Sequence, residues 1–272
     1  MYKKIRQSII LFIIIGCITE RPEFLEAGIG VNPTTTEMVV SQGSVTKGVY
    51  TVVNESEKAI HIKVETEDWL KVRTGISSIP IENWLTITPM EFDINPRETQ
   101  EVKYTIIPPS GIRGELVAMV FFGTKDIEGA LGITSRIGVI IYAAIEGTIN
   151  LRCKIDNIEV IRAPSKNKDG EENNGIIFII DVRNKGNAHL RPTGDIIITG
   201  KNGAKDVVKI ERGLPVFAGK KSSYAINWDK KDLSPGRYEA LIILDYGNIY
   251  NIEGKVKKKI IFTLKEDGTI YR

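Results

Sequence analysis

The sequence predicts an all-β chain: two tandem immunoglobulin-like antiparallel β-sandwiches behind an N-terminal targeting segment. Three observations carry this. Short apolar runs alternate with Gly, Pro, Asn and Ser turn signals at roughly 8–12-residue spacing, the signature of a sandwich. Beyond the targeting segment no stretch sustains a 3.6-residue apolar period, so helices should be few and short. The chain also echoes itself. Phe92 to Gly123 reads strand, Pro turn, strand, PPSG turn and a long apolar strand opened by Gly114-Glu115, and Phe217 to Gly247 is a degenerate copy. Pro96 to Gly114 spans 18 residues and Gly219 to Gly236 spans 17; upstream, Tyr50 to Asn54 pairs with Ile180 to Asn184, each a strand running into an Asn turn.

At about 150 residues per domain, 272 residues suggest two domains. The expected divisions are a targeting segment at 1–27, a first sandwich at 29–147 and a second at 150–264. The formal charge of +3 comes from Lys3, Lys4 and Arg6; from residue 9 onward 34 basic residues face 34 acidic ones. That balance builds no field for a nucleic-acid partner. Lys255, Lys257, Lys258 and Lys259 form the one basic run, read as protection of a terminal strand against unwanted pairing.

MYKKIRQS is a positively charged n-region and Ile9 to Ile15 an apolar h-region, which together read as a secretory signal. Two exits fit. Ile14-Ile15-Gly16-Cys17 resembles a lipobox, making Cys17 the candidate lipidation site; cleavage after Ala27 is the alternative. The second places charged residues between h-region and cut, so the first is favoured. The expected location is extracytoplasmic, in periplasm or at the cell surface, with membrane contact only through such an anchor. Cys153, the other cysteine, has no disulfide partner in the mature body and reads as a small buried residue.

Along domain 1, Gly28 to Pro33 opens the first strand, with Pro33 at an edge or bend. Met38 to Val40 and Val49 to Val53 follow, and Ile60, Ile62 and Val64 alternate inward. Strand-like runs at Asp68 to Leu70 and Trp84 to Pro89 come next. Trp69 and Trp84 read as core or core-rim aromatics, with sugar stacking as the sharper alternative. After a polar loop at Thr124 to Thr134, the strand Arg136 to Ile145 is apolar on both faces, so it is either sandwiched within protein or awaiting a partner. The short connector Glu146-Gly147-Thr148 implies abutting domains. In domain 2, Ala163 to Asn174 reads as an exposed polar loop, strands are expected at 175–182, 195–199, 207–211, 223–228, 238–246 and 257–264, and residues 265–272 should fray.

Enzymatic chemistry has no visible carrier. His61 and His189 stand in different domains and read as surface residues, and no GxSxG, HExxH, CxxC or phosphate-loop pattern occurs. Neither a cofactor nor a metal is expected, and Asn54-Glu55-Ser56 matches the glycosylation triplet only by chance.

Residues 29 to 147 resemble the N-terminal domain of PapD-like periplasmic pilus chaperones. The features are the opening Gly30 to Pro33, the turn Val52-Val53-Asn54, Phe92 to Pro96 ahead of Gln100, Gly114-Glu115 opening a strand, and the two-faced strand ending in Ile141-Tyr142. The resemblance implies a non-enzymatic chaperone or assembly factor for pili or other surface structures. Its last N-domain strand, here with Arg136, Ile137, Val139 and Ile141, would add to an incomplete sandwich of a secreted or envelope partner such as a pilus-like subunit. It also implies two basic cleft residues that clamp a C-terminal carboxylate. Val31 to Thr36 contains no base, and Arg136 alone is available on the last strand, so half of that clamp is absent. The alternative function is a structural or adhesive surface (lipo)protein in which the sandwiches are spacers.

Overall fold

Alternation of side chains decides which face each strand buries, and the apolar sets at positions 60, 62, 64 and 116, 118, 120, 122 fall on one side of their strands. The computed structural model describes residues 28–76, 79–125, 136–166, 172–200, 203–230, 233–247, 250 and 252–272. The targeting segment with Cys17 and Ala27 lies outside them, as does most of the loop expected at 124–134.

The first sandwich packs a four-stranded sheet on a five-stranded one. The strands are β1 (Ile29–Asn32), β2 (Thr35–Val40), β3 (Thr46–Asn54), β4 (Ile60–Asp68), β5 (Leu85–Thr88), β6 (Glu91–Ile94), β7 (Thr99–Ile106), β8 (Glu115–Lys125) and β9 (Arg136–Ile145). Their orders are β1-β3-β7-β5 and β2-β9-β8-β4-β6. Between them lies one core, with Tyr50, Val52, Ile62, Phe122, Val139 and Ile141 among its fully buried members. One pairing departs from the antiparallel expectation: β2 runs parallel to β9, Thr35 opposite Ile140. The reason is local. The chain passes from the first sheet to the second at the cis Asn32–Pro33 bond, so β2 continues the direction of β1 while bonding to a different strand.

The second sandwich contains β10 (Cys153–Lys166), β11 (Glu172–Asn184), β12 (Thr193–Thr199), β13 (Lys205–Ile210), β14 (Lys221–Trp228), β15 (Gly236–Asp245), β16 (Lys255–Leu264) and β17 (Ile270–Tyr271). The sheets β10-β11-β14 and β13-β12-β15-β16-β17 close over Ile158, Phe178, Ile180, Ile196, Ile242 and Phe262. Cys153 packs half-buried beside this core, which pushes its thiol up to about 12. Lys255, Lys257 and Lys259 point to solvent from β16, and Lys258 turns inward to donate to the Ile155 and Asp156 carbonyls at 3.1 and 2.8 Å.

Three local readings need correction. Residues 69–74 form a helix, α1 (Trp69–Thr74), where the sequence suggested a strand; the Asp68 carboxylate caps it by accepting from the Lys71 N–H, and Gly75 ends it with a φ of 76°. Of the polar run at 163–174, residues 163–166 and 172–174 extend β10 and β11, paired out to Lys166 opposite Glu172, and 167–171 lie outside the described residues. Backbone pairing is indifferent to the polarity that made this run read as a loop. The C-terminal tail does not simply fray, because β17 pairs with the end of β16.

The internal echo has a physical basis. Asn54 and Asn184 end β3 and β11, and both are 0% exposed. The Asn54 amide donates to the carbonyls of Lys58, Ile94 and Asn95, and its oxygen accepts from the Ser56 N–H at 3.0 Å. The Asn184 amide donates to Ala188 and Val216, and its oxygen accepts from the Gly186 N–H at 2.8 Å. Their own N–H groups donate to Glu98 and Lys220, each one residue beyond a left-handed position, Arg97 and Gly219. Counted from those positions, Gly114 and Gly236 each follow after 17 residues. Each Asn thus ties a strand end to carbonyls of the loop that crosses beside it. Replacing either Asn with Ala removes the side-chain donor to the buried Ile94 or Ala188 carbonyl, at about 1–3 kcal/mol per site. Urea unfolding of Asn54→Ala and Asn184→Ala should show lower midpoints at unchanged slope.

Candidate functional site

Odd and even positions of β8 and β9 divide their work. Leu116, Ala118, Val120 and Val139, Ile141, Ala143 face the core of the first sandwich. Glu115, Val117 and Tyr142 face the other way, where registry sets Glu37 of β2 beside Tyr142 and Tyr142 beside Val117. That outer face is not solvated. Phe217 of the second sandwich packs on Val117 and Tyr142, with Trp69, Leu70 and Ile140 at the margin. The two-faced apolar character of Arg136 to Ile145 therefore has its explanation: one face fills the core, and the other meets the second sandwich.

His189 enters this contact from the turn after β11 and is 0% exposed, against the surface position expected for it. The cause is the Asn184 corner, which folds residues 184–190 back against the first sandwich. The imidazole stacks on Tyr142 at 3.9 Å between centroids. The Glu115 carboxylate accepts twice from the same residue, from the His189 N–H at 3.0 Å and at Nδ1 at 2.7 Å, and also accepts from the Tyr250 hydroxyl at 2.5 Å. On the opposite side of the ring, Nε2 stands 3.5 Å from Glu37 Oε1, at ion-pair range without a hydrogen bond. Glu37 also accepts from Arg191 Nε at 2.8 Å and from Arg212. Burial opposes charge on both groups. The carboxylates of Glu115 and Glu37 nevertheless hold the His189 pKa above its usual value, and the nearby His189 ring together with Arg212 holds Glu37 at about 2. A cavity of about 330 Å³ opens beside Thr35, Glu37, Arg191 and Arg212.

The connector is a tight turn at the edge of this contact. The Gly114 N–H donates to Thr148 Oγ1 at 2.9 Å, and the Asn187 side chain bridges the Thr148 carbonyl and the Asn150 N–H. A Cβ on Gly114 would stand 2.5 Å from the Asn187 carbonyl oxygen, and the residue holds a φ of 85°.

The sequence-chosen strand residues divide between burial and an edge. Val139 and Ile141 are 0% exposed in the core and Ile137 packs against it. Arg136 is exposed, bonded to Glu65 at 3.0 Å and lying 3.6 Å over the Phe121 ring. β8 pairs with all of 136–144, whereas β2 covers only 140–145. Along 136–139, no strand among the described residues bonds to the other edge of β9. The Ile140 N–H points to that edge, since it donates to the Thr34 carbonyl, so by the two-residue period those of Gly138 and Arg136 do as well. Trp84 is 2% exposed in the core and offers no face to a sugar ring, and Trp69 lies at the interdomain contact under Arg73. His61 is a surface residue held by Glu91 at 2.8 Å and Asp93 at 2.6 Å, and these two bonds raise its pKa. Sequence reasoning missed Glu37, Glu115, Arg191, Arg212 and Tyr250; the one available signal was a charged residue, Glu115, opening an otherwise apolar strand.

Together these layers define a two-domain immunoglobulin-like sandwich protein. No protein-family model matches the sequence, and no curated protein matches it. Among solved structures, the chain is similar to the class 5 fimbriae chaperone CfaA, with 16% identity over 85% of this chain and 98% of that one and a TM-score of 0.45. It is also similar to the E. coli chaperone DraB, with 12% identity over 85% and 98% and a TM-score of 0.40. The Pseudomonas aeruginosa CupB2 chaperone follows, with 11% identity over 84% and 98% and a TM-score of 0.38. No helix among the described residues is long and apolar enough to cross a membrane.

Gly114→Ala should destabilise the protein by on the order of 1 kcal/mol or more, combining left-handed strain with the close approach to Asn187. Thermal unfolding of this variant beside Gly111→Ala, where the added Cβ meets open space at a φ of 83°, separates the two contributions.

Proposed function

We propose that this protein is an extracytoplasmic, non-enzymatic protein-binding factor that takes up a partner by strand addition at β9. The partner class is a secreted or envelope protein with an unpaired strand, such as a pilus-like subunit. The observation that carries this reading is the edge of Arg136–Val139, in line with β2, which no strand among the described residues covers. Main-chain hydrogen bonds supply affinity at such an edge without any clamp for a C-terminus. Because Val139 and Ile141 fill the protein's own core, the partner is engaged through backbone groups of Arg136 and Gly138, not through those two side chains.

That distinction sets the test. Arg136→Pro removes an edge-facing N–H at the first residue of a strand, where proline is tolerated. A crosslinked pull-down from the native envelope should recover a partner with the wild type and lose it with Arg136→Pro. Circular dichroism and the urea midpoint should show both folded, the variant losing only the exposed Glu65 pair and the contact over the Phe121 ring, each roughly 0–1 kcal/mol. Equal recovery with both, or none with the wild type, removes the proposal.

A second reading, tandem spacer modules of a surface (lipo)protein, draws on the bonded connector and buried interdomain contact, which suit a stiff rod. Protease shaving of intact cells should then release the protein, and a fatty-acid probe should label it only while Cys17 is present.

A further inference from the structure

The interdomain contact contains a titratable group that the proposed strand addition does not use. We infer that His189, held between Glu115 and Glu37, is a proton-dependent latch that fixes the relative orientation of the two sandwiches and releases it when alkaline conditions remove the imidazolium proton.

The geometry carries the argument. Glu115 on β8 and Glu37 on β2 approach opposite nitrogens of one ring, at 2.7 and 3.5 Å, and both carboxylates belong to the first sandwich while the ring belongs to the second. Only the doubly protonated ring offers an N–H on each side. In the neutral ring, one nitrogen presents a lone pair to a buried carboxylate. Of the other charged and titratable groups around the ring, the arginines oppose its charge, so the two carboxylates alone favour the imidazolium. Tyr142 of β9 stacks on it, and the Tyr250 hydroxyl is 3.0 Å from Nδ1 and donates to Glu115. Arg191 of its own loop and Arg212 both bond Glu37, so they compensate that carboxylate but leave Glu115 to His189. Arg73 of α1 lies over Phe217, 5.8 Å from its centroid, and adds a cation at the margin.

The sign follows from the direction of each shift. The His189 pKa is raised on folding, so its contribution to docking is complete below the usual histidine value and is lost as pH rises through the raised one. Glu37 is depressed from 4.5 to about 2, so its contribution is present above the usual carboxylate value and fades only as pH falls toward about 2. Docking is therefore strongest between those limits and gives way on the alkaline side at His189.

The chain has two histidines, so His61→Asn leaves His189 as the only imidazole signal in an NMR titration of the full-length protein. Residual dipolar couplings on the same samples report the relative orientation. The expected result is a His189 midpoint above 6.5, with one rigid-body alignment fitting both sandwiches below it and two independent alignments required above it. Glu115→Gln keeps an acceptor but removes the charge, so the midpoint and the release should shift together to lower pH; Glu37→Gln gives the same readout from the other nitrogen if the first variant does not fold. A midpoint at or below 6.5, a single alignment on both sides of it, or a release whose pH is unmoved in the folded carboxylate variants overturns the latch.

Discussion

The architecture depends on one carboxylate. Glu115 opens β8, lies 2% exposed at its side chain, and is bonded by the backbone N–H and the ring of a single residue from the other sandwich. An ion pair so deeply buried gains little net stability, because desolvation of two charges offsets their attraction. Its effect is on geometry. Two bonds to one carboxylate tolerate little rotation, so the pair selects one orientation of the sandwiches where the apolar contact of Phe217, Val117 and Tyr142 would accept several. The outer faces of β8 and β9 around Val117 and Tyr142 then become interior, which is why both strands are apolar on both sides there.

The two sandwiches share a device more than a sequence. A strand that ends by crossing to the opposite sheet interrupts the regular ladder, and the buried carbonyls around the crossing need donors. A short side chain with two donors and one acceptor answers that need, and Asn54 and Asn184 occupy corresponding corners. The left-handed positions Arg97 and Gly219 follow from the same crossing. Recurrence at equal spacing is thus what one corner geometry demands wherever it is built, and it requires no common ancestor. The sheets around it are free to differ, four and five strands in one sandwich and three and five in the other.

What was legible in the sequence follows from range. Alternation and turn chemistry are local, so β9 was read with its observed bounds, Arg136–Ile145, and the Asn turns were found at the right strands. Features that depend on distant partners were not. His189 looked exposed because its neighbours are turn residues; its burial comes from a surface 74 residues away in the chain. The strand ends at 163–166 and 172–174 read as loop because pairing of main chains leaves no mark on polar side chains, and α1 is too short to establish a helical period. The parallel β2–β9 pairing depends on a sheet switch at Pro33, where sequence announces a bend but not its destination.

Edges supply the last step. A sheet that ends in solvent is protected from chance pairing by charge, above all lysine. β13 carries exposed Lys205 and Lys209 along its outer edge, and β16 carries Lys255, Lys257 and Lys259. Between Arg136 and Val139 the case differs: Ile137, Gly138 and Val139 bear no charge, and Arg136 is drawn away over Phe121 toward Glu65. Gly138 also lets Phe121 and Met119 close over the strand, at 3.0 and 3.1 Å from where its Cβ would stand. Among the described residues, this edge is therefore without charged protection and is backed by Phe121 and Met119. A strand arriving there would gain hydrogen bonds on one side and apolar contact beneath it, and this contrast supports the proposed pairing at β9 over the lysine-bearing edges.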